Sequence, residues 1–143
     1  MGDVKTGFLD DMVSYCLKSA YHKIMEDAEV QLETLGLKVP QFSIMAIVHL
    51  NPGITQTKLI DNIYITRSTG SEMIEKLVRR SLMVRKPIDR KSNGLFLSEE
   101  GEVLFSNALK MAQLNEKKLT DRFSVDEIKQ MNKLLLKLAV NAD

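Results

Sequence analysis

Between Thr55 and Gly101 two short helix patterns, a turn and a basic hairpin follow one another without a gap, and few folds accept that order. Asn51-Pro52-Gly53 breaks whatever precedes it, and Thr55 stands where a capping hydroxyl can open a helix reaching Ile63. Thr66 offers a second capping hydroxyl, ahead of a helix from Arg67 to Arg80. In that helix Met73, Ile74, Leu77 and Val78 recur at helical spacing, which leaves a polar first turn and several cations on the other sides. Two short apolar runs, Leu82–Lys86 and Leu95–Ser98, flank a turn-rich tip in which Asn93-Gly94 is expected to supply positive φ. Helix, turn, helix and hairpin in this order are the pattern of a winged helix-turn-helix.

Charge is concentrated in the same stretch. Residues 55–98 hold nine Lys or Arg against four Asp or Glu, whereas the whole chain has a formal charge of only +1. A basic surface built on a recognition helix and a wing points to double-stranded DNA. On this reading Arg67, Ser68, Thr69 and Ser71 meet base edges, while Lys76, Arg79, Arg85, Arg90 and Lys91 hold phosphates. Lys86 adds to the basic wing. Glu72 either accepts from a base or pairs with Lys76 or Arg79 in solvent, and the ion pair is preferred.

The flanking segments read as helices. Phe8 to Thr34 carries a stripe at three- and four-residue spacing that Gly36 ends, and Pro40 to Leu50 is apolar on most sides, so it should lie centrally beneath the motif. Ser98 opens a further helix reaching about Leu119, and Ser124 with Glu127 forms a capping box before the last. The expected architecture is mainly α with a small β-hairpin wing. One domain spans 1–143, with dimerisation helices at 8–34 and 102–140 and a winged helix-turn-helix lobe at 40–101. The apolar surface on the outer helices exceeds what the lobe can cover, which predicts a homodimer reading a palindromic site.

Other classes fare worse. No run of eighteen apolar residues and no hydrophobic leader is present, so no membrane contact and a cytoplasmic location are expected. One cysteine and two histidines cannot build a zinc cluster, and no nucleophile–base arrangement or phosphate-cradling loop stands out; no enzyme activity, metal or cofactor is expected. A winged-helix module binding protein instead of DNA is the alternative, which the clustered basic charge disfavours.

With these residues laid out, the chain resembles the MarR family of bacterial and archaeal transcriptional regulators. The resemblance rests on Leu35-Gly-Leu, Pro40-Gln-Phe42, Pro52-Gly-Ile-Thr-Gln56, Arg67-Ser-Thr69, and the string from Asp89-Arg-Lys to Leu97-Ser-Glu-Glu-Gly101. The chain departs from the family pattern at Lys91, where an arginine is usual, at Gly70, where an apolar residue is common, and at Glu72, where a basic residue is common. The resemblance implies a dimer that represses, or sometimes activates, transcription and releases DNA when a small aromatic, phenolic or carboxylate effector binds between the dimerisation helices and the lobe. Candidates to line such a pocket are Tyr15, Cys16, Ser19, His22, Met25, Met45, His49 and Tyr64, although core packing or a surface role is the stronger reading of each. One branch of the family senses peroxides through a first-helix cysteine. Counting back from Pro40-Gln41-Phe42 puts that position at Ser14 and its partner tyrosines at Lys18 and Ala28. Cys16 is therefore expected to be a buried, inert thiol, with redox sensing as the alternative.

Overall fold

The computed structural model describes residues 4–140. A 3₁₀ turn, Gly7–Asp11, precedes six α-helices and one hairpin: α1 (Val13–Glu33), α2 (Val39–Leu50), α3 (Gln56–Asp61), α4 (Arg67–Arg79), β1 (Met83–Pro87), β2 (Asn93–Leu97), α5 (Glu99–Thr120) and α6 (Val125–Ala139). The first helix is shorter than its apolar stripe predicts. Gly7 takes φ +56°, and Met12 is extended at φ −93°, ψ 119°, so the turn and α1 are separate. Met12 thereby acts as the N-cap of α1, its carbonyl oxygen accepting from the Tyr15 and Cys16 backbone N–H groups. The segment from Phe8 to Asp11 includes two aspartates, poor helix formers that suit a turn better.

Other ends follow the sequence chemistry. Gly36 at φ +66° closes α1, with Leu37 N–H donating to the Leu32 carbonyl and Gly36 N–H to that of Glu33. The helix α4 ends in the same way, except that Ser81, not a glycine, takes the left-handed conformation at φ 58°. Leu82 N–H reaches the Leu77 carbonyl and Ser81 N–H that of Val78, which turns the chain straight into the wing. Thr55, Thr66, Ser98 and Ser124 each cap their helix through the side-chain oxygen, as expected.

The helix α2 is central: Ile44 and Met45 are wholly buried and Val48 nearly so, against Leu59, Ile74, Leu77, Met83 and Leu95 from the surrounding elements. This core joins the helix-turn-helix to the hairpin and sets their relative placement. The stripe on α5 is only partly buried; Phe105 and Ala108 enter the core while Val103 and Leu114 stay exposed. Phe105 stacks at 5.7 Å on Phe42 and lies 4.8 Å from the His49 ring, tying α5 to α2. Leu32 is the one buried residue of α1, and α6 has none among the described residues. No described helix is long and apolar enough to cross a membrane.

The hairpin pairs antiparallel in the register Met83 with Leu97 through Pro87 with Asn93. Asn93 and Gly94 therefore lie inside β2, and Gly94 has no positive φ, contrary to the turn role expected of them. The small size of Gly94 is needed for a different reason. A Cβ there would come 2.5 Å from the Gly53 carbonyl oxygen, because residues 53 and 54 lie alongside β2 and bond to Leu95 in both directions. Residues 88–92 make the tip instead, where Asp89 Oδ1 accepts from the backbone N–H of Lys91 and of Ser92, each at 2.8 Å.

Candidate nucleic-acid interface

Gly70, Ile74 and Leu77 bury one side of α4, so Arg67, Ser68, Glu72, Lys76 and Arg79 face outward. At its N-terminus, Thr66 Oγ1 accepts from the Thr69 backbone N–H and donates to Thr69 Oγ1 at 2.8 Å. The Thr69 hydroxyl is thereby committed to the cap, and its residue is half-buried. Ser68 stays exposed, and Arg67 reaches back 3.4 Å to Asp61 at a largely solvated pair. Lys76 pairs with Glu72 at 2.9 Å, the ion pair that the sequence favours. That hydrogen bond, the Lys76 charge and the more distant charges of Lys38 and Arg79 hold the Glu72 carboxyl below the usual carboxylate range.

Two predicted contacts are committed elsewhere. Ser71 is half-buried on the side facing α3 and accepts from Gln56 Nε2 at 3.2 Å, so it does not share the outward face with Arg67 and Ser68. Arg85 Nη2 donates to Glu75 at 3.0 Å and to Gln56 Oε1 at 3.3 Å, which makes it a brace between β1, α4 and α3. Neither role could be read from the sequence, because both depend on contacts with Gln56 and Glu75 that only the fold brings together. Arg79, Arg90 and Lys91 are exposed and have no ion-pair partner among the described residues. Lys86 lies 5.4 Å over the Phe96 ring, a contact between the two strands of the wing.

The string Leu97-Ser98-Glu-Glu-Gly101 has a geometric explanation. Ser98 Oγ accepts from Gly101 N–H at 3.0 Å and donates to the Ser81 carbonyl oxygen at 2.6 Å. A Cβ on Gly101 would overlap the Leu82 carbonyl oxygen, so α5 can start this close to the end of α4 only with glycine there. One short motif thus locks recognition helix, wing and α5 together.

The residues suggested for an effector pocket are not gathered within one chain. Met45 is sealed in the core; Tyr64 stands fully exposed beyond α3; Ser19 and His22 are exposed on α1, His22 lying 3.6 Å from Glu26. Tyr15 and Met25 are half-buried on α1. His49 hydrogen-bonds Glu102 at 2.7 Å, linking α2 to α5. Cys16 is exposed, which corrects the buried reading, and its thiol donates to the Asp10 carbonyl at 3.2 Å.

A different cleft, of about 850 Å³, opens between the end of α1, the turn into α2 and the flank of α4. Leu37, Val39, Pro40 and Met73 contribute apolar lining, and Lys38, Lys76, Arg79, Arg80, Glu29 and Glu33 contribute charged lining. None of the suggested pocket residues lines it.

Residues 37–92, which hold α2, the helix-turn-helix and most of the wing, match the family model described as MarR family. The solved structure of the transcriptional repressor CouR bound to a 23-mer DNA duplex superposes with a TM-score of 0.87 at 30% identity, covering 97% of this chain and 100% of that one. This chain belongs to the MarR family. CouR bound to p-coumaroyl-CoA also superposes at 0.87, with 28% identity over 98% of this chain and 100% of that one. The transcriptional regulator HosA of Escherichia coli O111:H- is 27% identical over 126 residues, 83% of this chain and 93% of that protein. As a MarR-family member the chain falls among transcriptional regulators, not enzymes.

Proposed function

We propose that this MarR-family regulator is a sequence-specific DNA-binding repressor, acting in the cytoplasm as a homodimer on a palindromic operator and released by a small aromatic, phenolic or carboxylate ligand. The observation that carries it is the exposure of Arg67, Ser68 and Arg79 on the outward side of α4 together with that of Arg90 and Lys91 at the wing tip. Arg67 and Ser68, at the first turn of α4, are placed to read base edges in the major groove. Arg79, Arg90 and Lys91 supply phosphate or minor-groove contacts, with Lys76 joining them by exchanging its Glu72 partner for phosphate. Arg85 braces the wing rather than contacting DNA, and Thr69 and Ser71 order the helix that does. The DNA complex of CouR and its complex with p-coumaroyl-CoA support the binding and the ligand response by likeness.

The single domain spans 1–143, and the outer helices assemble the dimer. Leu134, Leu135, Leu138 and Met131 on α6, with Leu114 on α5, are exposed in one chain, an apolar area that a second copy would cover. Two-fold symmetry then sets the half-sites about 34–36 Å apart.

Binding of the purified chain to its own upstream intergenic DNA, compared with random duplex across a salt series, tests this. A selective complex of two chains per site that weakens steeply with salt is expected. Equal affinity for random duplex, or none at low salt, would overturn it.

A further inference from the structure

The structure assigns Glu72 to cytosine: on operator DNA the carboxylate in the middle of the recognition helix accepts from a cytosine amino group and penalises the other three bases at that position. The assignment rests on the regulator reading above and names what one outward side chain of α4 reads.

Position and partners single this residue out. Ser68, Glu72, Lys76 and Arg79 follow one another along the outward side of α4, so Glu72 lies one turn beyond the first-turn residues placed on base edges. Its side chain is 64% exposed, and its only ion-pair partner among the described residues is Lys76, at 2.9 Å. Glu75, the other acid of α4, is half-buried and already held by Arg85 at 3.0 Å. The hydrogen bond and charge of Lys76, with the more distant charges of Lys38 and Arg79, keep the Glu72 carboxyl below the usual carboxylate range. At neutral pH the group therefore has no proton to give and can only accept.

An acceptor-only group on a surface that meets a polyanion is a liability unless the DNA supplies a donor. Lys76 exchanges Glu72 for phosphate when DNA binds, as proposed above, which leaves the carboxylate without a partner in a groove that is losing its water. Stranding a charge in this way costs far more than an exposed ion pair is worth, so a donor on a base edge has to replace the ammonium. Guanine presents the acceptors N7 and O6 to the major groove, and thymine presents O4 and a methyl group; neither donates there. Adenine offers its N6 amino group beside the acceptor N7, which repels the carboxylate, whereas the N4 amino group of cytosine has only a C–H beside it. Cytosine is the base that satisfies Glu72, and the selectivity comes from rejecting the others as much as from the bond itself.

The test selects duplexes from a randomised library with the full chain, then measures the selected site and its single-base changes by anisotropy. Wild type should carry cytosine at one position of each half-site, with any other base there weakening binding about tenfold. Glu72→Gln should move that position to adenine, whose N6 and N7 an amide meets together, and leave the remaining positions unchanged. Glu72→Ala should lose the preference, binding all four bases there within about twofold. Lys76→Met should keep the cytosine while reducing the salt slope by about one, as loss of a phosphate contact does. Residue 72 is exposed and glutamine is as good a helix former as glutamate, so the variants should fold, which circular dichroism checks. A cytosine preference that survives both substitutions at residue 72, or a responding position that holds another base in wild type, would overturn the assignment and leave Glu72 a solvated partner of Lys76. A wild-type chain that selects no sequence at all would overturn the regulator reading, and this assignment with it.

Discussion

Arg80, at the end of the recognition helix, donates through Nη1 to the carbonyl oxygen of Gly36 at 2.6 Å, joining residues 44 apart in sequence. The same guanidinium lies 3.2 Å from where a Gly36 Cβ would stand. The turn that closes α1 and the end of α4 are thereby fixed to each other. Arg80→Ala should cost about 1 kcal/mol, the net worth of a partly solvated charge-assisted hydrogen bond, and lower the thermal midpoint by several degrees. Arg80→Lys should recover only part, because an ammonium cannot reproduce the reach and planarity of the fork. A midpoint unchanged in Arg80→Ala would show the contact to be incidental.

Gly101 meets the Leu82 carbonyl oxygen so closely that even a methyl group has no room. The obstacle is backbone on both sides, so neither can yield by a rotamer change. Gly101→Ala should therefore destabilise by about 1–3 kcal/mol, as overpacking does, despite the higher helix propensity of alanine. Urea denaturation followed by circular dichroism would measure it; a stabilised variant would mean that α5 can shift away freely.

Asp89 accepts from the Lys91 backbone N–H, and with a second such bond from Ser92 this holds its carboxyl below the ordinary aspartate range. A group depressed in the folded state contributes order above its unfolded range, about pH 4, and that contribution is lost as pH falls through the folded value. The Lys91 and Ser92 amide resonances should accordingly stay constant at neutral pH and move only under acid conditions. In Asp89→Asn the side-chain oxygen still accepts, so the tip should keep its turn while that acid titration disappears.

The helix order, the four hydroxyl caps and the basic wing were legible in the sequence because each rests on local chemistry: a capping oxygen, a three- to four-residue apolar spacing, a run of cations. What escaped depends on contacts distant in sequence. Ser71 and Arg85 look like contact residues by type, and only the fold places Gln56 and Glu75 beside them. Gly94 looks like a turn glycine, yet it is required by the approach of Gly53 across forty residues of chain. The cleft joins α1, α2 and α4, so no single motif announces it.

The division between Arg85 and Arg90 can be measured. Arg85 is held by Glu75 and Gln56, whereas Arg90 stands exposed at the wing tip. Removing one cation from a phosphate reduces the salt slope of DNA binding by about one. Arg90→Ala should lower the slope by about that amount at unchanged thermal stability. Arg85→Ala should leave the slope nearly intact, lower stability modestly, and weaken binding through a loosened wing. Anisotropy titrations at several salt concentrations would separate the two; equal slope changes would place Arg85 on the DNA.

The outer helices offer the sharpest test of assembly. Along α6, Ile128, Met131, Leu134, Leu135 and Leu138 fall on one stripe, yet no residue of the helix is buried in a single chain. Burying a leucine side chain is worth about 1.5–3 kcal/mol, so a stripe of this size left in water would make the helix a liability. Covering it with the same stripe of a second copy satisfies both at once, as two-fold symmetry requires. If a second copy covers this stripe, as proposed, Leu135→Asp with Leu138→Asp should leave the chain a monomer in sedimentation equilibrium at micromolar concentration, because carboxylates in the covered stripe would lose their water without a partner. The lobe core lies elsewhere, around Ile44 and Leu59, and should survive the change. Operator affinity should fall steeply in this variant, since one recognition helix reads only a half-site. A dimer that persists would move the interface away from α6.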